Sequence, residues 1–383
     1  MIVLAKPYLT EEEAEAAYNT ILTGWITQGP KVQEFEHKFA AYTGAKYAVA
    51  VSNCTTALHL SMIVAGIGVG DEVICPSLSY IATANAIKYT GATPVFAEVI
   101  KDTYNLDPAA VEQKINKNTK AILIVHQIGL PADIDAFKLL AEKYNLQLIE
   151  DAACAAGSAY KGQKIGSHSD LVCFSFHPRK VISTGDGGMI TTNREDFYER
   201  LKLLRQHGMS VNDRVRHESK TVLFEDHLEV GYNYRMTDIQ ASVGIKQLEK
   251  LDWIVSQRRL VAEAYLNILK DIPCLQLPKE EEGYFSNFQS FSIYLKPSCP
   301  LERNELMQRL LGAGISTRRG VMTIHRVTAY RSESKGVYLP ISEDLNDNSI
   351  IIPLYIPMEE SEISYVINTF SEIIKSAETK VLV

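Results

Sequence analysis

The chain lacks most of what would mark a membrane, secreted or nucleic-acid-binding protein. Its 383 residues contain no stretch near the ~20 consecutive apolar positions that a membrane-spanning helix needs. The opening residues, Met1-Ile2-Val3-Leu4-Ala5-Lys6-Pro7, run quickly into the acidic Glu11-Glu12-Glu13, without the basic start and apolar core of a secretory signal. No long basic run occurs, and a formal net charge of −7 weighs against non-specific attraction to nucleic acid. The six cysteines (Cys54, Cys75, Cys154, Cys173, Cys274 and Cys299) include no Cys-x-x-Cys pair, which argues against a zinc or thioredoxin-type site. Most lie in or beside apolar segments, where a free thiol behaves as a small hydrophobe. Internal repeats and low-complexity tracts are absent too. The expectation is a protein of a reduced, cytoplasmic setting, with no metal, no membrane and no nucleic acid among its partners.

What is present is an ordinary globular composition, 46% apolar and 22% charged, on a chain too long for one typical domain. Thr10 before three acids reads as a helix N-cap, and the helical pattern lasts to Ala41 with a break at Gly24–Pro30. Short apolar segments then alternate with helical ones. The strands are expected at Tyr47–Val51, Glu72–Cys75, Thr93–Val99, Ala121–Val125, Gln147–Glu150, Leu171–Phe176 and Met189–Thr192. Ala121-Ile122-Leu123-Ile124-Val125 is apolar throughout, as suits a strand buried on both faces of a mostly parallel sheet. The crossovers are Thr56–Ala65, Tyr80–Tyr89, Pro108–Ile115 and Asp133–Tyr144. This predicts an α/β domain over residues 1–250, with the amino-terminal helical segment included and helices on both faces of the sheet. Two long helices, Met236–Asp252 and Trp253–Leu269, follow. Residues 251–383, with strands Phe288–Leu295 and Ile350–Leu354 and helices Leu301–Gly312 and Glu360–Ser376, form a smaller C-terminal α+β domain.

The candidate chemistry sits at strand ends. One apolar strand closes on Asp151; another leads through Phe174-Ser175-Phe176-His177-Pro178-Arg179-Lys180 into Thr184-Gly185-Asp186-Gly187-Gly188. A lysine and a carboxylate on neighbouring strand ends suit a pyridoxal phosphate enzyme, in which the amine forms a Schiff base and the acid pairs with the pyridinium nitrogen. Asp151 could equally be a solvated strand end or a helix cap, and Lys180 a surface-loop lysine. The glycine-rich run would let backbone approach a ligand closely. Ser52-Asn53-Cys54-Thr55-Thr56 suits either a plain N-cap or an anion site at a helix start. Tyr80 is either a core tyrosine or an aromatic face at the carboxyl edge of the sheet. Arg318-Arg319 with His325-Arg326 is a solvated basic face or a diphosphate contact. Gly66-Ile67-Gly68-Val69-Gly70 precedes a strand and so fails as a dinucleotide loop; His126 and His177 lack metal-ligand spacing.

The blocks Gly24-Trp25-Ile26-Thr27-Gln28-Gly29-Pro30, Ser52–Leu58, Asp71–Pro76, Glu150-Asp151-Ala152-Ala153, Ser175-Phe176-His177-x-x-Lys180, Thr184–Gly188 and Gly231-Tyr232-Asn233-Tyr234-Arg235-Met236 together resemble the DegT/DnrJ/EryC1/StrS family. The likeness runs from about residue 5 to about 370. It implies the fold-type I pyridoxal-phosphate transferase architecture and transamination of a nucleotide-diphosphate-linked keto sugar, a 4-keto-6-deoxyhexose by preference, with L-glutamate as donor and pyridoxamine phosphate between the half-reactions. By the resemblance Lys180 carries the Schiff base, Asp151 the ring nitrogen and Tyr80 the ring face. Thr55, Thr56 and Ser175 hold the phosphate. Asn233 reaches the phosphate of the partner subunit's cofactor, which implies a homodimer with shared sites. Trp25, Tyr234, Arg318, Arg319 and His325 stand where members bind substrate. Where the family often has Gln or His near the cofactor's 3-hydroxyl, this chain has Cys154, a poorer donor. Members that dehydrate replace the lysine by histidine, so Lys180 favours transamination over a dehydratase of the same fold; the other alternative, a catalytically silent regulatory protein, would be supported by a helix-turn-helix-like domain or basic tail, and the sequence shows neither.

Overall fold

The computed structural model describes residues 1–211 and 219–381. Seven strands form one sheet: β1 (Tyr47–Val51), β2 (Glu72–Pro76), β3 (Thr93–Ala97), β4 (Thr119–Val125), β5 (Gln147–Asp151), then, beyond the two-residue strands β6 (Ala159–Tyr160) and β7 (Gln163–Lys164), β8 (Leu171–Ser175) and β9 (Gly188–Thr192). Their order is β1-β9-β8-β5-β4-β2-β3, and only β9 runs against its neighbours. The expected mostly parallel sheet is therefore present, strand for strand.

Side-chain alternation explains why both faces are covered. On β4, Ile122 and Ile124 enter one apolar core and Ala121 and Leu123 the other; Val172 and Phe174 on β8 divide in the same way from Leu171 and Cys173. Helices α1 (Glu11–Leu22) and α2 (Pro30–Thr43) lead the chain, and Thr10 caps α1 reciprocally with Glu13, as its sequence suggests. Helix α3 (Cys54–Val64), α4 (Ala82–Tyr89) and α7 (Glu195–Leu204) pack on one face of the sheet. On the other lie α2, α6 (Ile134–Tyr144, after the short α5, Pro108–Glu112) and the first half of α8 (Asp238–Leu269).

Helix α8 departs from expectation. It is one helix of 32 residues rather than two, because nothing at Asp252-Trp253 breaks it: neither glycine nor proline is there. It serves two cores. Ala241 to Val255 pack beneath the large sheet, whereas Val261 to Leu269 pack with a second sheet of order β10-β12-β14-β13, formed by β10 (Leu275–Gln276), β12 (Phe291–Leu295), β13 (Arg318–Arg319) and β14 (Ser349–Ile352). Strand β11 (Tyr284–Phe285) pairs instead with β6. The switch of cores thus falls between Val255 and Val261. Among the described residues no helix is long and apolar enough to cross a membrane.

Candidate active site

Asp151 ends β5 almost wholly buried. Its Oδ2 accepts the Thr83 hydroxyl at 2.9 Å and its Oδ1 the Ala153 N–H at 3.1 Å. Burial pushes its pKa above the ordinary carboxyl value, although these two donors, Lys180 and His126 all pull the other way. A buried carboxylate with only neutral donors in direct contact is matched chemically to a cation. Lys180, in the loop after β8, donates from Nζ to Cys154 Sγ at 3.2 Å. Burial disfavours its ammonium, but Cys154, Cys54 and Asp151 more than offset that and hold its pKa above the usual lysine value.

The residues expected at the phosphate, Thr55, Thr56 and Ser175, lie together near the start of α3. Asn53 caps the helix, accepting the Thr56 N–H at 3.0 Å, while the Thr56 hydroxyl donates to the Asn53 carbonyl at 2.7 Å. Thr56 is therefore committed to the cap. The Thr55 hydroxyl has no protein partner among the described residues, and the first-turn N–H groups have no intrahelical acceptor. Ser175 is brought to the same place by register: it pairs with Gly188, whose α-carbon is so close to Asn53 that a Cβ would come within 2.5 Å of the Asn53 carbonyl. The N-cap is therefore present, and it leaves the Thr55 hydroxyl and the other first-turn N–H groups free among the described residues, so the cap reading does not exclude an anion site.

Close packing within the chain accounts for part of the glycine-rich run. Gly188 is required against Asn53, and at Gly187 a Cβ would meet the Thr184 hydroxyl at 2.4 Å and the Met236 methyl at 2.8 Å; Gly185 adopts φ +83°. Gly187 and Gly188 let the chain approach itself, Gly188 joining β9 to α3.

The remaining candidates fall in several places. The Tyr80 ring is 64% exposed in the turn between β2 and α4. Beside that turn runs the segment after β13, with the Ser79 N–H on the Met322 carbonyl at 3.0 Å and the Ile324 N–H on the Ser77 carbonyl at 2.8 Å. Arg318 and Arg319 are exposed and have no carboxylate partner among the described residues. Partial desolvation by the surrounding chain lowers the Arg318 pKa although the residue is open to solvent, and the nearby cations Arg179 and Arg319 lower it further. His325 is buried with both ring nitrogens occupied, Nδ1 by Ser77 Oγ at 2.6 Å and Nε2 by Glu343 at 3.1 Å, so it ties the C-terminal segment to the end of β2. Trp25 lies over its own loop, with Nε1 donating to the Gln28 carbonyl at 3.2 Å; that loop is pinned by Asp238, which accepts from the N–H groups of Gly29, Lys31 and Val32. Tyr234 stacks on Tyr232 at 4.9 Å and meets His59 Nδ1 with its hydroxyl at 3.2 Å. Asn233, one residue earlier, is exposed and its side chain has no partner among the described residues.

Some supporting residues had no separate signal in the sequence. Thr83 stands one turn beyond Tyr80, and only the fold shows that it reaches Asp151. Asn287 is fully buried and donates to the carbonyls of Cys154 and Ala156, both at 2.8 Å, while Gln289 donates to the Arg179 carbonyl at 2.9 Å. Both come from more than a hundred residues downstream.

Comparison with known proteins agrees with this arrangement. Residues 7–371 match the DegT/DnrJ/EryC1/StrS aminotransferase family. GDP-perosamine synthase of Escherichia coli O157:H7 is 37% identical over 372 residues, covering 97% of this chain and 98% of that one. Among solved structures, the aminotransferase TlmJ of Streptoalloteichus hindustanus superposes with a TM-score of 0.90 at 31% identity, covering 98% of this chain and 99% of its own. Spr1654 of Streptococcus pneumoniae in its PMP form does so with 0.92 at 29%, covering 98% and 100%. The chain belongs to the DegT/DnrJ/EryC1/StrS aminotransferase family. It is a pyridoxal-phosphate-dependent aminotransferase of fold type I. Its own residues fit that cofactor: an amine for the aldehyde, a buried carboxylate for the ring nitrogen, and helix-start donors with hydroxyls for the phosphate.

Proposed function

We propose that the enzyme aminates a nucleotide-diphosphate-linked keto sugar, a 4-keto-6-deoxyhexose, with L-glutamate as amino donor. The observation that carries this reading is the cluster of Arg179, Arg318 and Arg319 beside Tyr80: three cations without carboxylate partners among the described residues, with Arg318 close enough to the other two to feel their charge, which suits a substrate bearing a diphosphate. Near-full-length similarity to a synthase of a nucleotide-linked sugar supports it.

In this reading pyridoxal phosphate, when bound, supplies an electron sink that stabilises charge at the carbon losing its proton. Asp151 would pair with the ring nitrogen and favour its protonated form. Thr55, Ser175 and the first turn of α3 hold the phosphate, with Thr56 shaping the cap, and Tyr80 covers the ring. Lys180 would take a proton from the substrate carbon onto Nζ and deliver it again from the same atom, so one group would serve as base and then acid. Asn233 completes the phosphate site of the partner subunit's cofactor in a homodimer. Its exposure supports that role, as do the exposed apolar side chains of Tyr89, Val222, Phe224, Leu228 and Val230. Trp25, Tyr234 and His325 shape the substrate side, His325 by fixing the segment that carries Arg318.

The test is an absorbance spectrum before and after L-glutamate, followed by addition of nucleotide-linked 4-keto sugars. The expected result is conversion of the yellow form to the pyridoxamine form, regeneration by the sugar, and loss of more than about 10⁴-fold in rate with Lys180→Ala. A sugar product that has lost a hydroxyl without gaining nitrogen would replace this reading with dehydration.

A further inference from the structure

The partner of the Lys180 amine is a thiol. Nζ makes no ion pair with any carboxylate among the described residues; its one side-chain hydrogen bond is to Cys154 Sγ, at 3.2 Å. Several groups face this amine from different elements: Asp151 from β5, Cys54 from the start of α3, Cys154 from the loop after β5, and His177 from its own loop. Of these only Cys154 is hydrogen-bonded to it.

The geometry is built rather than incidental. The Cys154 loop is tied at its base by the Ala153 N–H on Asp151. From the far side, buried Asn287 holds the Cys154 and Ala156 carbonyls. Two residues on, Gln289 holds the Arg179 carbonyl next to Lys180. One short segment therefore fixes both loops. Asn287 is itself locked: its N–H donates to Ser158 Oγ at 3.2 Å and its Oδ1 accepts the Gln289 N–H at 2.9 Å. A Cβ on Gly129 would collide with that same Oδ1, at 1.9 Å.

We propose that Cys154 is a positioning residue for the proton shuttle: its sulfur accepts a hydrogen bond from Lys180 while the amine is free of the cofactor and carries the proton in transit. A base that must hold a proton between two carbons inside a buried site needs something to stabilise its loaded form, since burial alone would expel the charge. The sulfur does this without the strong bond of a carboxylate, which would hold the proton too firmly to return it. The inference rests on the aminotransferase chemistry but not on which sugar is used.

The experiment strips cofactor from the full-length protein and follows the rate of imine formation with added pyridoxal phosphate from pH 6 to 10. It uses wild type, Cys154→Ala and Cys154→Ser, and needs neither donor nor sugar. Only the neutral amine adds to the aldehyde, and an amine held above the usual lysine value is on its acidic limb throughout this range, so removing the sulfur should make addition roughly tenfold faster at each pH, the equivalent of a shift of about one unit. Serine, which keeps an acceptor, should fall between. Coincident profiles for the three proteins would overturn the proposal. If the alanine variant does not fold, an unshifted serine profile does so alone. A shifted profile in a protein that transfers no amino group to any keto sugar would leave the positioning role standing and remove the substrate assignment.

Discussion

Glu150 and Asp151 are consecutive on β5, and both are almost wholly removed from water, but the two faces of the sheet treat them differently. Glu150 points into the core beneath α2 and α6, where His126 Nε2 donates to it at 2.8 Å and the Ser169 hydroxyl donates as well. The Ala132 N–H on His126 Nδ1, at 3.0 Å, fixes the tautomer that makes this possible. Burial would raise the Glu150 pKa, but His126 and Ser169 more than offset it and hold it below the ordinary value. On the opposite face Asp151 has two neutral donors, and burial prevails. One carboxylate is satisfied by the chain and the other has only neutral donors in direct contact, so neighbours in sequence sit in opposite environments, and the proposed function assigns only the second to the cofactor.

Exchanging each for its amide tests that division. Asp151→Asn should lower the rate of the first half-reaction by roughly 10²-fold or more, because the ring nitrogen loses its counter-charge. In the cofactor-free protein the same change should not destabilise. A carboxyl whose pKa is raised by folding binds more protons in the native state than in the unfolded one, so its contribution to stability falls as pH rises through the two values. Asparagine removes that cost, and denaturant midpoints at pH 7 should be equal to or above those of wild type, the difference vanishing near pH 3. A clear loss of stability at pH 7 would erase the contrast with Glu150.

For Glu150→Gln the pattern should reverse. The amide weakens a fully buried network and should cost about 2 kcal/mol by urea unfolding. Cofactor affinity and the glutamate half-reaction should change by less than about threefold. A large effect on the spectrum would mean that His126 and Glu150 reach through the strand to tune Asp151.

This contrast also shows what a single chain makes legible. The seven strands could be read because segments such as Ala121–Val125 are apolar at every position, and the strand ends at Asp151 and before Lys180 because polar residues close such segments abruptly. The two cores served by α8 could not be read, since its junction at Asp252-Trp253 looks like a boundary yet contains no residue that breaks a helix. Thr83, Asn287 and Gln289 act through side chains aimed by tertiary folding across 68, 133 and 110 residues respectively. Periodicity and spacing carry no trace of such pairings. The glycine-rich run shows a different limit: its composition announces a close approach but not whether a ligand or the chain's own Asn53 is the neighbour.

A third carboxylate, at the edge of the molecule, sharpens the comparison with the smallest expected effect. Glu13 is buried in the first turn of α1 and accepts from Lys250 at 2.9 Å, Gln247 at 2.9 Å and the Thr10 N–H and hydroxyl, both at 2.7 Å. Burial opposes its charge, but these donors prevail and lower its pKa to about 2. The sign is opposite to that for Asp151: a depressed carboxyl contributes stability that is present above its unfolded value and lost as pH falls through about 4.5 towards 2. Allowing for the glutamine's retained hydrogen bonds and solvent screening at Lys250, Glu13→Gln should cost on the order of 1 kcal/mol at pH 7. That deficit should shrink below pH 4.5, whereas the stability gain of Asp151→Asn grows as pH rises. Parallel pH profiles for the two variants would show that the number of donors around a buried acid does not decide which side of its ordinary pKa it takes, and the distinction drawn between Glu150 and Asp151 would then need another cause.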